Sequence, residues 1–304
     1  MSATDRPLRS YYGQPVLKQP VWKPEIPFYF FAGGLGGASA GLAWLAERRG
    51  EDVLARRAWI AALAGVGASP ALLISDLGVP SRFLNMLRMF KVTSPMSVGS
   101  WILAGSGATT GLATANALLG WFPGLARAAK PAAAALGLPL STYTAALVAQ
   151  TAIPIWHEAR QDLPFVFAAG AAASAGAAAT ALTPVSHARA ARRLALLGSA
   201  AEVLTVQAME RRLGELAEPY HAEAAGTFAQ TARALTVGGA LLIGGAAARS
   251  RAAAITGGAL VMAGALCERW SVFKAGFQSA RDPRYTIGPQ RARIDGARAG
   301  ARAG

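Results

Sequence analysis

Five carboxylates stand on or beside long apolar stretches of this chain. Glu25, Asp76, Glu158 and Glu268 fall at the ends of such stretches, and Glu202 falls inside one, about midway between Arg193 and Glu210. A carboxylate within a membrane is costly unless it has a partner or faces water. Glu202 is therefore the first candidate for proton chemistry. The other four gather toward one end of the helices. They are either a polar pocket at the mouth of a proton route through Glu202, or ordinary helix-end groups in headgroup water. Six aromatic residues accompany that end: Trp22, Phe28, Tyr29, Trp101, Tyr143 and Trp156. They form an interfacial belt or the walls of a flat apolar slot for a ring-shaped, lipid-soluble ligand.

The three histidines, His157, His187 and His221, fall in loops or at helix ends. Haem held by two histidines needs them inside facing helices, so a haem b protein is not expected. His157, between Trp156 and Glu158, is a candidate proton relay. Cys267 is the single cysteine. An intrachain disulfide or a four-cysteine cluster in this chain is thereby excluded. No phosphate-binding loop, HExxH motif or nucleophile elbow occurs.

The elements that position these groups are helices. Only 15% of the 304 residues are charged, against about 25% in soluble domains. Mean hydropathy is +0.32. Apolar stretches of roughly 20 residues recur, the length that crosses a bilayer core of about 30 Å. The spacing predicts an all-α integral membrane protein with about eight transmembrane helices in a bundle. They fall near 26–46, 58–77, 96–119, 140–156 (broken by Pro154), 163–182, 194–209, 235–248 and 252–270. A short basic and apolar segment from Ser81 to Lys91 is expected to lie in the interface between helices two and three. Residues 1–25, proline-rich, read as a surface segment, 26–278 as the transmembrane domain, and 279–304 as a basic disordered tail. Helix one has no cleavable-signal pattern and reads as retained. Its Gly33, Gly37 and Gly41 share one face and invite close helix packing.

The formal net charge is +14. Its basic residues border apolar segments, where they anchor helices at lipid headgroups, so nucleic acid is not an expected partner and membrane lipids are. With eight spans both termini share a side. That side holds more Lys and Arg, an excess supplied by the tails, which points to cytoplasmic termini.

The run from Ser75-Asp76-Leu77-Gly78-Val79-Pro80-Ser81-Arg82-Phe83-Leu84-Asn85-Met86-Leu87-Arg88 through Lys91 and Ser94-Pro95-Met96-Ser97-Val98-Gly99-Ser100-Trp101 resembles the signature of the NrfD/PsrC family, the membrane subunits of polysulfide reductase and its relatives. Gly33-Gly34-Leu35-Gly36-Gly37 is similar to that family too. Trp156-His157-Glu158 and Leu163-Pro164-Phe165 resemble its actinobacterial members.

The resemblance implies an eight-helix subunit of a bacterial cytoplasmic membrane, without haem or iron–sulfur cluster of its own. It would exchange electrons between an iron–sulfur ferredoxin-like subunit, paired with a molybdopterin catalytic subunit, and menaquinone or ubiquinone. Matched from the glycine run, the family's quinone-pocket positions fall on Glu25, Phe28 and Tyr143, where the family type has Asn and His at the first two. Val79 stands where many members have Arg. The expected quinone contacts are Glu25, Phe28, Trp101 and Tyr143. Asp76, Glu202 and His157 would carry protons, and Arg82, Arg88 and Lys91 would dock the partner. Two other readings compete: a secondary transporter, for which Pro154 is the one candidate helix break, and a purely structural anchor.

Overall fold

Short polar caps and glycine turns cut a nearly continuous helical chain into rods. In the computed structural model, which describes residues 17–77 and 79–287, the Ser94 hydroxyl accepts from the Ser97 amide at 3.4 Å and Ser250 accepts from Ala253 at 3.2 Å. Each caps the first turn of a long helix, where amide groups lack intrahelical partners. Gly50 and Gly120 sit at φ 71° and 73°, left-handed conformations that suit glycine and end the preceding helices.

Eight helices of 20 residues or more result among the described residues. They are α1 (Glu25–Arg48), α2 (Asp52–Asp76), α3 (Pro95–Leu119), α4 (Pro123–Ala149), α5 (Leu163–Leu182), α6 (Arg189–Leu213), α7 (Glu223–Gly245) and α8 (Arg251–Arg281). No strand occurs among the described residues. Five of the eight, α1, α2, α4, α5 and α8, are long and apolar enough to cross a membrane. The others are interrupted by polar groups, such as Glu202 and five arginines on α6.

The connections α1–α2, α3–α4 and α7–α8 are tight. Those between α2 and α3, α4 and α5, and α6 and α7 carry short helices at Pro80–Leu87, Pro154–Glu158 and Glu218–His221. Antiparallel succession puts all three longer connections at one end of the bundle, together with the start of α1 and the end of α8. Loops that carry function need such length. The N-terminal segment is strapped across this end. The Lys23 amide donates to Asp76 Oδ1 at 2.9 Å, and Trp22 stacks on Trp156 at 5.4 Å.

Small residues bring the rods together. A Cβ on Gly36 would stand 2.6 Å from the Val66 amide of α2, and one on Gly65 would stand 2.6 Å from the Ala32 carbonyl of α1. Gly37 and Gly137 face each other across α1 and α4 just as closely. Lipid gives helices no hydrophobic reason to associate, so such backbone approach supplies the dispersion that does. The expected glycine face divides in function: Gly37 is clamped, while Gly41 has open space in front of it.

Three expectations change. The fourth apolar stretch was read as starting near residue 140 and breaking at Pro154; α4 begins at Pro123 and carries Pro131 and Pro139 inside it. Pro154 instead opens a separate short helix at its first position, where its missing amide costs no bond. The last helix was expected to end near Trp270, with a tail from Ser279. It runs to Arg281 and buries Ser279 and Ala280. The segment after α2 is a 3₁₀ helix over Pro80–Leu87. The rest of the expected tail, from 288, and residues 1–16 lie outside the described residues.

Candidate functional site

α6 presents Glu202, Val206 and Glu210 at four-residue spacing, on one face. α8 presents Glu268 and Arg269, one residue apart and so about 100° apart around the helix. α5 contributes Phe167 and Gly170. These meet in the interior. Glu202 is 3% exposed, Arg269 2% and Glu268 6%. Arg269 Nη1 stands 3.9 Å from Glu202 Oε1. Its Nη2 donates to the Phe167 carbonyl at 3.0 Å, and the guanidinium lies 4.2 Å over the Phe167 ring. Gly170 makes the room: a Cβ there would stand 2.6 Å from Arg269 Nη2 and closer still to the Glu202 carboxylate.

The pair is loosely satisfied. Neither Glu202 oxygen has a hydrogen-bond partner among the described residues, and Arg269 Nε and Nη1 have none. Groups of this kind usually bind one another fully or hold water. A crevice of about 20 Å³ beside them, lined by Glu202, Glu268, Tyr220, Glu210, Arg233 and Ser271 among others, has room for about one water. The Tyr220 hydroxyl is buried there and unpartnered among the described residues. Burial, reinforced by the charge of Glu268, holds its phenol well above the usual range, so it keeps its proton. At the outer end Glu210 meets Arg233 at 3.7 Å and His221 at 3.9 Å. Glu202 and Glu210 are about 12 Å apart along α6. Polar groups thus lead from the end of the bundle that holds the longer connections to the buried arginine.

Glu268 and Arg269 correct the sequence reading. That reading places Glu268 near a helix end and does not single out Arg269, which it leaves at the edge of the 252–270 stretch. Both lie well inside α8, because that helix continues to Arg281. The signal was present: buried Val272, Phe273 and Gly276 continue the helical period beyond Trp270. Lys274, on another face, interrupts the apolar run and hides it.

The expected ring-binding residues divide. Glu25 opens α1 with Oε2 enclosed and without a partner among the described residues. Tyr143 of α4 meets Tyr29, the next residue after Phe28, edge-on at 6.4 Å, and its ring presses on Gly99 of α3. Phe28 turns instead toward Trp270 of α8, 5.8 Å away. Trp101 is two residues from Gly99 and faces almost the opposite way; it is 43% exposed and donates from Nε1 to the Met89 carbonyl at 3.3 Å. Glu25, Tyr29 and Tyr143 therefore belong to one neighbourhood at the start of α1, and Trp101 covers the segment after Pro80–Leu87. Trp156, expected in a belt or slot, is fully buried and donates to the Val272 carbonyl at 2.7 Å.

Asp76 ends α2 and holds the Lys23 amide. His157 is exposed, as are Arg82, Arg88 and Lys91 along the α2–α3 connection. No three His, Cys, Asp or Glu side chains converge as metal ligands would among the described residues. The largest cavity described, about 790 Å³, touches none of these groups; it opens at the other end of the bundle, between α1, α4, α5 and α6.

A bundle of long apolar helices around a buried arginine–carboxylate cluster defines a polytopic membrane protein built to keep charge in its interior. Residues 15–280 match the family described as Polysulphide reductase, NrfD, and the chain belongs to that family. Its members are membrane subunits of molybdoenzyme complexes that interact with quinones and typically pair with iron–sulfur and molybdopterin subunits. No curated protein matches the chain.

Proposed function

We propose that this chain is the quinone-reactive membrane anchor of a molybdopterin/iron–sulfur oxidoreductase in a bacterial cytoplasmic membrane. All eight long helices cross the bilayer, with the Pro80–Leu87 segment in the interface. The subunit exchanges electrons between an iron–sulfur ferredoxin-like partner and menaquinone or ubiquinone. A quinone, when bound, supplies two-electron chemistry that takes up or releases two protons. The enclosed, unpartnered Glu25 Oε2 beside an aromatic neighbourhood fits a ring carrying polar oxygens. Glu25 and Tyr143 orient the ring head beside Tyr29, while Phe28 and Trp101, which face Trp270 and the Met89 carbonyl, stand outside that pocket. Asp76 and His157 pass protons at the end of the bundle. Arg82, Arg88 and Lys91, all exposed, dock the iron–sulfur partner.

The observation that carries the reading is the Glu202–Arg269 pair with Glu268 beside it. One guanidinium against two carboxyls balances when one carboxyl is ionised and the other holds a proton. The cluster is neutral while it holds that proton and carries one negative charge once the proton leaves, so release is coupled to the arrival of another proton. Tyr220 and Glu210 connect that store to the end where the quinone and partner residues lie.

The test uses the assembled complex. Glu202→Gln and Tyr143→Phe should each slow quinone-coupled turnover by about a hundredfold, the low end for a lost proton-transfer group. Reduction of a soluble artificial acceptor at the catalytic subunit should stay unchanged. Unchanged quinone-coupled turnover in both variants sinks the assignment.

A further inference from the structure

The large cavity at the other end of the bundle has an ordered lining. On α1 and its C-cap, Gly37, Gly41, Leu45 and Arg49 follow one another at four-residue spacing; on α6, Arg189, Arg193 and Leu197 do the same. Each stripe changes from charged at the helix end to apolar in the interior. α4 closes a third side with Ala134, Leu138 and Ser141, and α5 floors it with Ala168 and Ala172. The path from Arg49 to Gly37 is about 18 Å long, close to the roughly 15 Å depth of one hydrocarbon leaflet. Leu138 and Leu197, 74% and 70% exposed, form the rims that face lipid.

The guanidiniums of Arg49, Arg189 and Arg193 are exposed, and none has a hydrogen-bond or ion-pair partner among the described residues. Glu51 is the one carboxylate at the mouth, which leaves an excess of two positive charges. A second groove of about 640 Å³, between α6 and α7, has no charged residue in its lining. Apolar groove and cationic mouth therefore coincide in the first and not in the second.

We infer that the α1–α4–α5–α6 groove is a binding site for an anionic phospholipid. Its phosphate sits against Arg49, Arg189 and Arg193, and an acyl chain runs down the groove past Gly41. Arginine forks suit phosphate oxygens. Gly41, with nothing within 4 Å of a Cβ, leaves the channel open for the chain.

Native mass spectrometry of the detergent-purified full chain, titrated with phosphatidylglycerol or phosphatidylcholine, tests this. Phosphatidylglycerol should bind about tenfold more tightly, as expected for two or more cationic contacts near a membrane surface. Arg189→Gln with Arg193→Gln should abolish that preference. Arg127→Gln removes an exposed charge outside the cavity lining and should leave it intact. Gly41→Leu fills the groove without touching the arginines and should weaken both lipids. Millimolar inorganic phosphate should not displace phosphatidylglycerol. Equal binding of the two lipids by the unmodified chain, an Arg127→Gln loss as large as the double variant's, full binding by Gly41→Leu, or displacement by phosphate would each overturn the proposal.

Discussion

Arg269 is the residue on which the interior depends. It is 2% exposed, beside a carboxylate whose oxygens have no other partner among the described residues. Removing one member of a buried pair leaves the other uncompensated. Arg269→Met should therefore lower stability by about 3–5 kcal/mol in thermal or denaturant unfolding of the purified chain. Combining it with Glu202→Gln should restore most of the loss, since two neutral groups can share the site. A full loss retained by the double variant would mean that the guanidinium works through Phe167 and not through Glu202. Gly170→Ala is a second probe at this scale. Its methyl would collide with both members of the pair, and overpacking of this kind typically costs about 1–3 kcal/mol. Glu202 itself was legible in the sequence, because an isolated acid inside an apolar helix announces its own burial. Arg269 was not, because at the edge of an apolar stretch an arginine reads as a headgroup anchor.

At the scale of the element, the α4–α5 junction shows how one residue type serves opposite ends. Pro131 and Pro139 lie inside α4, where each removes a backbone bond, and Pro154 opens a new helix where none is removed. Pro154→Ala should change stability by less than about 1 kcal/mol, because the position needs no donor and Ala is a good helix former. Trp156, two residues later, anchors the junction. It stacks with Trp22, donates to the Val272 carbonyl and lies against Gly276 of α8. Trp156→Phe removes the indole donor to that buried carbonyl and part of the contact with Gly276, and should cost about 1–3 kcal/mol. Greater proteolytic access to residues 17–24 should accompany it. Helix existence was legible along the whole chain from apolar length. Boundaries failed where a helix end was polar or proline-bearing, as at Pro123 and beyond Trp270, because packing there outweighs local preference.

Over the whole molecule, the two ends of the bundle differ in kind. One carries the long connections, the strapped N-terminal segment, the exposed Arg82, Arg88 and Lys91, and the polar crevice toward Glu202. The other carries tight turns and the cationic groove. A partner subunit that delivers electrons is expected on the first. Reversing Arg82, Arg88 and Lys91 to Glu should abolish co-purification with the iron–sulfur subunit while the chain remains inserted and folded. Retained co-purification would move the docking surface elsewhere. Rim charges act mainly on encounter and specificity, so the loss should ease as single reversals replace the triple one.

Taken alone, the sequence determined the class of molecule: a helical membrane protein with charge kept out of most helices, small residues for close packing and one acid set deep. Hydrophobic length, helical period and residue size are local properties, readable without neighbours. The tertiary structure decided which groups meet. It turned Arg269 toward Glu202, set Tyr143 on Tyr29 and not on Phe28, pointed Trp101 away, and opened a cavity of about 790 Å³ at the end opposite the longer connections. Those outcomes depend on each helix's rotation about its axis and on which helices lie side by side. Contacts between distant segments decide both, and no stretch of chain specifies them on its own.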